Sequence, residues 1–84
     1  MALIRNSKWA NPLREGRIEE FNRLAEHEPP DLRNADLRGL DLSGASMEGA
    51  SLHDTKVAGV LFPSALSAEE IHLSLIFGTR MRAR

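Results

Sequence analysis

Three histidines, His27, His53 and His72, are the residues of this chain best suited to acid–base or metal chemistry. None stands at helical or loop ligand spacing from another ligand type, so they read as solvated or capping imidazoles rather than metal ligands. His53-Asp54, with serines nearby, has the composition of a hydrolytic site. A triad is defined by geometry, however, and neighbouring positions on a regular repeat do not build one. Asp36 and Asp41 recur too regularly, and sit too openly in the pattern, to act as a tuned acid–base pair. The glycines return every five residues instead of forming a strand-loop-helix phosphate cradle. There are no cysteines, which excludes disulfides and thiolate metal sites. The expectation is a protein with no catalytic residues, no cofactor and no metal, and so not an enzyme.

The element that carries most of these residues is a five-residue period over residues 30–66. The centre of each unit is apolar: Leu32, Leu37, Leu42, Met47, Leu52, Val57 and Phe62. Two places earlier sits a small or apolar residue: Pro30, Ala35, Leu40, Ala45, Ala50, Thr55 or Val60. Two places later sits a turn former: Asn34, Gly39, Gly44, Gly49, Asp54, Gly59 or Ser64. A helix cannot produce this pattern, since apolar residues five apart would spiral around a cylinder of 3.6 residues per turn. Successive side chains of an extended segment point to opposite faces. Each unit therefore reads as a very short strand with two residues inward and one outward, followed by a turn. The predicted core is the seven centres together with Ala35, Leu40, Ala45, Ala50 and Val60.

The Ala-(Asp/Ser)-Leu-x-Gly pattern within residues 30–66 resembles the pentapeptide-repeat family. The resemblance implies a mainly-β fold: a short right-handed, four-sided parallel β-helix with one unit per side and about twenty residues per coil. Residues twenty apart should then stack. Leu32 would lie over Leu52, Leu37 over Val57, Leu42 over Phe62, Leu40 over Val60 and Ala45 over Ala65. The pattern drifts at Thr55, Leu61 and Pro63, and Phe62 exceeds the usual leucine, so the second coil is expected to widen or close there.

Seven units make under two coils, and a solenoid unit cannot bury its own faces without neighbours or caps. An N-terminal α-helical cap and a C-terminal α-helix are expected to supply them. Ile18, Phe21, Leu24 and Ala25 form one apolar stripe of a helix placed at roughly 17–27, stopped by Pro29-Pro30. Ahead of it, Asn11-Pro12 reads as another helix start. Ala2-Leu3-Ile4 reads as a short strand or an extended arm. Trp9 either packs on the end of the core or anchors a partner. After the repeat, Ser67 and Glu70 form a capping box, and Gly78 stands where a helix ends, which predicts a helix over 68–77. Its apolar residues Ile71, Leu73, Leu75, Ile76 and Phe77 occupy more than one face, and they are the candidate interface. The tail, Thr79 to Arg84, reads as a solvated end whose charge suits a helix C-terminus.

The 84 residues are expected to form one domain: an N-terminal arm and cap over 1–29, the repeat over 30–66, and a C-terminal helix with a basic tail over 67–84. A net charge of −1 is not the footprint of a nucleic-acid binder, and Arg80, Arg82 and Arg84 lack a supporting basic face. The opening residues are too short an apolar run for a signal peptide, and no membrane-spanning stretch is present, so a cytoplasmic protein is expected. The expected function is a non-catalytic protein–protein interaction or scaffold module. Its partners would be a second copy of the chain, joined as a dimer through a capping helix or coil end, or another protein. The family implies an alternative, imitation of DNA to bind DNA gyrase or topoisomerase, which requires a long acidic rod. Residues 30–66 carry a net of only two negative charges. Under two coils, at about 4.8 Å each, reach roughly three base pairs of about 3.4 Å.

Overall fold

The computed structural model describes residues 7–83, so the Ala2-Leu3-Ile4 segment and Arg84 lie outside the described residues. Among the described residues there are three helices: α1 (Ser7–Arg14), α2 (Ile18–Ala25) and α3 (Ala68–Phe77). None is long and apolar enough to cross a membrane.

The helix predicted to begin at Asn11-Pro12 is already under way there, because α1 contains Pro12 in its interior. A proline lacks the N–H that would bond four residues back and is costly inside a long helix. Here the helix is only eight residues long and is held by its buried face of Trp9, Ala10 and Leu13. It ends in a Schellman turn. Gly16 takes φ 77°, its N–H donates to the Leu13 carbonyl at 3.2 Å, and the Arg17 N–H donates to Pro12 at 2.7 Å. The chain then reverses into α2, whose Phe21 is fully buried and whose Ile18, Leu24 and Ala25 pack against the same core. The Trp9 and Phe21 rings meet edge-on with centroids 5.6 Å apart, a contact worth about 0.5–1.5 kcal/mol beyond area burial. Trp9 is 4% exposed, so it serves the core and is not a surface anchor.

From Asp31 onward the chain turns a corner every five residues. At the corners from Leu32 to Val57 the residue two after the centre is followed by an N–H that bonds back to the centre's carbonyl, as in Ala35 to Leu32 (3.2 Å), Leu40 to Leu37 (3.2 Å) and Thr55 to Leu52 (3.0 Å). Asn34 and Asp54 adopt φ of 65° and 59° at two of these corners, the positive value a type II turn needs at its third residue and one that Asn and Asp tolerate better than most. After twenty residues the chain lies alongside its own earlier course. Asp31 bridges Ser51, Asp36 bridges Lys56 and Asp41 bridges Leu61, all parallel.

The mainly-β architecture expected from the repeat is not what forms. Among the described residues there is no β-strand and no sheet; the parallel contacts are isolated bridges, and helix is the predominant regular structure. The cause is the length of each side. One residue pairs in both directions before the next turn takes the backbone away, so no ladder extends over consecutive residues. The third side is followed by a turn at Leu66 and then by α3, so among the described residues no fourth side pairs in this way.

The repeat centres Leu32, Leu37, Leu42, Met47 and Leu52 are buried, as are Ala35, Ala45 and Ala50. Leu40, Val57, Val60 and Phe62 are half-buried. Thr55 replaces a small apolar residue on the inner wall and is still buried, because its hydroxyl donates to the Leu32 carbonyl at 2.7 Å.

Candidate functional site

Function in a body of this kind rests on what its ends and walls present, so the caps come first. The boundaries of α3 follow from its caps. Ser67 Oγ accepts the Glu70 N–H at 3.1 Å, and Gly78 takes φ 75° with its N–H on the Ser74 carbonyl. A Cβ at residue 78 would lie 3.3 Å from the His53 Cβ and would also strain a positive φ, so glycine suits this position on two counts. The Glu70 carboxylate reaches forward to the tail and accepts the Arg82 N–H at 2.9 Å.

Two polar side chains and one tail residue complete the backbone at the ends of the repeat. In the body, the Leu32 N–H donates to the Ser51 carbonyl; twenty residues later the Leu52 N–H has no further turn to meet. Ser74 takes that place. Its fully buried hydroxyl accepts from Leu52 N–H at 2.8 Å and donates to the Thr79 carbonyl at 2.7 Å. Beside it, the Met81 N–H donates to the Ala50 carbonyl at 3.0 Å, and the Met81 carbonyl accepts the Gly49 N–H at 2.7 Å. The Met81 side chain is 1% exposed. The tail is therefore not a solvated end: its central residue is part of the core, while Arg80 and Arg82 point to solvent. At the opposite end, Asn22 of α2 donates through Nδ2 to the Gly44 carbonyl (3.0 Å) and accepts the Ser46 N–H at Oδ1 (2.7 Å). One carboxamide thus meets a backbone acceptor and a backbone donor as another length of chain would.

Replacing Ser74 by alanine strands the buried Leu52 N–H and is expected to cost about 1–3 kcal/mol in urea unfolding. The exposed Ser64→Ala should stay within about 0.5 kcal/mol. Equal midpoints for the two variants would show that the Ser74 hydroxyl is not needed.

The side walls carry the charges. Asp36 Oδ1 accepts the Arg38 backbone N–H (3.2 Å), and its carboxylate holds the Arg38 guanidinium by two bonds at 2.9 and 2.7 Å. Asp31 and Arg33 repeat the arrangement one unit earlier. At Asp41 a serine replaces the arginine, and Ser43 donates both its N–H (3.0 Å) and its hydroxyl (2.6 Å). The Arg38 side chain is the main cause that pulls the Asp36 carboxyl from 3.8 down to about 2, helped by the Arg38 N–H and by the charge of Lys56. The Ser43 bonds lower Asp41 as well. A depressed folded-state value stabilises the fold above the unfolded value and loses that effect as pH falls. Wild type is therefore expected to lose stability between about pH 4 and pH 2, and Asp36→Asn should flatten that part of the urea-midpoint profile. Superimposable profiles would remove Asp36 as a contributor.

The five candidate interface residues divide. Ile71 and Leu75 pack against the core. Leu73 is half-buried, whereas Ile76 and Phe77 are 49% and 69% exposed. Leu61, on the third side, is also exposed. A cleft of about 290 Å³ lies beside Phe77, lined by Asp31, Arg33, Ser51, His53 and Arg80 among others. Its chemistry is already engaged: Arg33 is held by Asp31, and Ser51 Oγ donates to the Gly78 carbonyl at 2.9 Å. His53 lies 3.6 Å from Asp54, while Ser51 is turned to Gly78, so the three do not form a relay. His27 and His72 are exposed, and no cluster of three or more metal-ligating side chains occurs among the described residues.

The polar caps Asn22 and Ser74 and the buried Met81 are the positions that sequence reasoning missed. The available signal for Ser74 was its position on the same helical face as Ile71, Leu75 and Gly78, a lone hydroxyl on the side facing the core.

Residues 31–62 match the family model described as "Pentapeptide repeats (8 copies)". The comparisons with curated proteins and with solved structures returned no match.

Proposed function

We propose, on the premise that residues 31–62 carry pentapeptide repeats, that the chain is a non-catalytic interaction or scaffold module that pairs with a second copy of itself through the outer face of α3. The observation that carries this reading is the pair Ile76 and Phe77, large apolar side chains left 49% and 69% exposed at the end of a capping helix. Leu73 lies three residues before Ile76 and four before Phe77, so the three adjoin on one surface. Contiguous exposed apolar surface of this kind marks interaction sites. Aromatic side chains are enriched at interface centres, and a two-fold contact needs only one such patch per chain.

Imitation of DNA to bind gyrase or topoisomerase has less support. A phosphate mimic needs free carboxylates along its wall. Here the Asp31 and Asp36 carboxylates are occupied by Arg33 and Arg38.

Light scattering across a concentration series tests the proposal. Wild type is expected to pass from monomer to dimer below about 1 mM, and Phe77→Glu to weaken the dimer at least tenfold, about 1.4 kcal/mol. A monomer throughout, or a dimer indifferent to Phe77→Glu, would overturn it.

A further inference from the structure

The end of the repeat that α3 covers is covered only in part. In the body, five backbone groups of residues 35–42 bond the second turn of the chain. The Ala35 carbonyl accepts from Lys56 N–H (2.9 Å), and Leu37 N–H donates to the Lys56 carbonyl (2.9 Å). Gly39 N–H donates to Ala58 (2.9 Å), the Leu40 carbonyl accepts from Leu61 N–H (3.0 Å), and Leu42 N–H donates to Leu61 (2.8 Å). Twenty residues on, the same five groups are the Thr55 carbonyl, Val57 N–H, Gly59 N–H, the Val60 carbonyl and Phe62 N–H. Among the described residues none of the five has a hydrogen-bond partner.

This rim continues an edge that the chain itself already fills. Immediately before it, Ala50 is taken by Met81 and Leu52 by Ser74, and past Leu52 the described residues of the tail and α3 supply nothing further. Met81 shows that an added residue can fill this edge, giving its N–H to the Ala50 carbonyl and its carbonyl to the Gly49 N–H; the register of the open rim comes instead from the body, where Lys56 donates to Ala35 and accepts from Leu37. The side chains agree. Leu37 and Leu42 of the first turn are fully buried, whereas Val57 and Phe62 above them are only half-buried. Unpaired backbone at such an edge is a template for another chain.

We propose that the 55–62 rim receives an extended segment of a partner polypeptide, laid parallel to it and built on the same unit pattern. The register follows from the body. A first partner residue, in the place that Lys56 takes against the first turn, donates to Thr55 and accepts from Val57. The residue two further on accepts from Gly59. The residue five further on donates to Val60 and accepts from Phe62. Apolar residues one, four and six places after the first would then cover the half-exposed Val57, Val60 and Phe62. The partner chemistry is thus an apolar segment with a turn former between its two pairing residues. Neither the exposed face of α3 nor pairing between copies is required.

The test uses the full chain carrying Phe77→Glu, so that pairing through α3 is suppressed and its failure is read separately. The probe is a blocked synthetic peptide with the sequence of residues 54–64. In the free protein the amides of Val57, Gly59 and Phe62 are expected to exchange with solvent at least about tenfold faster than those of Leu37, Gly39 and Leu42. Saturating peptide should slow the first three by a similar factor and leave the other three unchanged. Val57→Pro removes a rim N–H that holds nothing within the chain, so it should keep the urea midpoint and lose the peptide. Rim amides as protected as their counterparts in the free protein would overturn the proposal. So would a peptide that leaves them unprotected at about 1 mM, or one whose protection falls on α3 instead.

Discussion

Leu37→Ala is expected to lower the unfolding free energy by about 2–5 kcal/mol, the range for emptying a fully buried leucine site. Leu37 is 0% exposed, and its backbone is pinned by the bond to Lys56. The wall around the vacated space therefore has little freedom to collapse, which places the loss in the upper part of the range. An 84-residue chain has about 4–13 kcal/mol in total, so one such change removes a large share and brings the protein near its threshold at 37 °C. Urea unfolding followed by circular dichroism reads the effect. Leu61→Ala is the matched control, since the same atoms are deleted from a side chain 60% exposed, and it should change stability by no more than about 0.5 kcal/mol. Similar losses at the two positions would mean that inner and outer walls are not distinguished as described.

Met81→Ala is the second large effect, again about 2–5 kcal/mol. The chain pattern around Met81 is arginine on both sides, and Arg80→Ala and Arg82→Ala are expected to be nearly neutral by comparison because both side chains are exposed. The contrast is sharp because Met81 is 1% exposed and its backbone is bonded on both sides, to Gly49 and Ala50. Removing the thioether leaves the backbone bonds in place but empties the position beneath them. Protection of the Met81 amide against exchange should fall along with the urea midpoint. Unchanged stability would return the tail to the status of a loose end.

The five-residue period was legible because a turn former and an inner residue recur at each corner, and that alone locates the centres from Leu32 to Phe62. The apolar stripe Ile18, Phe21, Leu24 and Ala25 was legible for the corresponding reason at helical spacing. The expected mainly-β architecture was not a safe extension of that period. Inward and outward alternation is satisfied by a single bridging residue between two turns, such as Asp36 against Lys56, without any strand. Pro12 misled because proline at a helix start is favourable, while tolerance inside a short helix depends on the buried Trp9, Ala10 and Leu13. Asn22, Ser74 and Met81 were hidden for a different reason. Each works by meeting backbone groups of a distant segment, and such a role leaves no local spacing to read. Of the candidate interface, only the burial of Ile71 and Leu75 distinguishes helix-to-core packing from the outward Ile76 and Phe77, and five large apolar letters in ten residues do not carry that distinction.

The order in which the parts meet follows from the fixed return distance. Every bridge of the body joins residues twenty apart, so each side closes a loop of the same size and carries nearly the same entropic cost. The contact between Met81 and Ala50 closes a longer loop, yet loop cost grows by only about 0.6 kcal/mol per doubling. Closure entropy therefore barely separates the tail from the body; what separates them is synthesis. The two turns of the repeat leave the ribosome before residue 81 does, while the domain as a whole folds as a unit. During that interval Ala50 and Leu52 lack Met81 and Ser74, and the edge later shared between the tail and the open rim is unoccupied along its whole length.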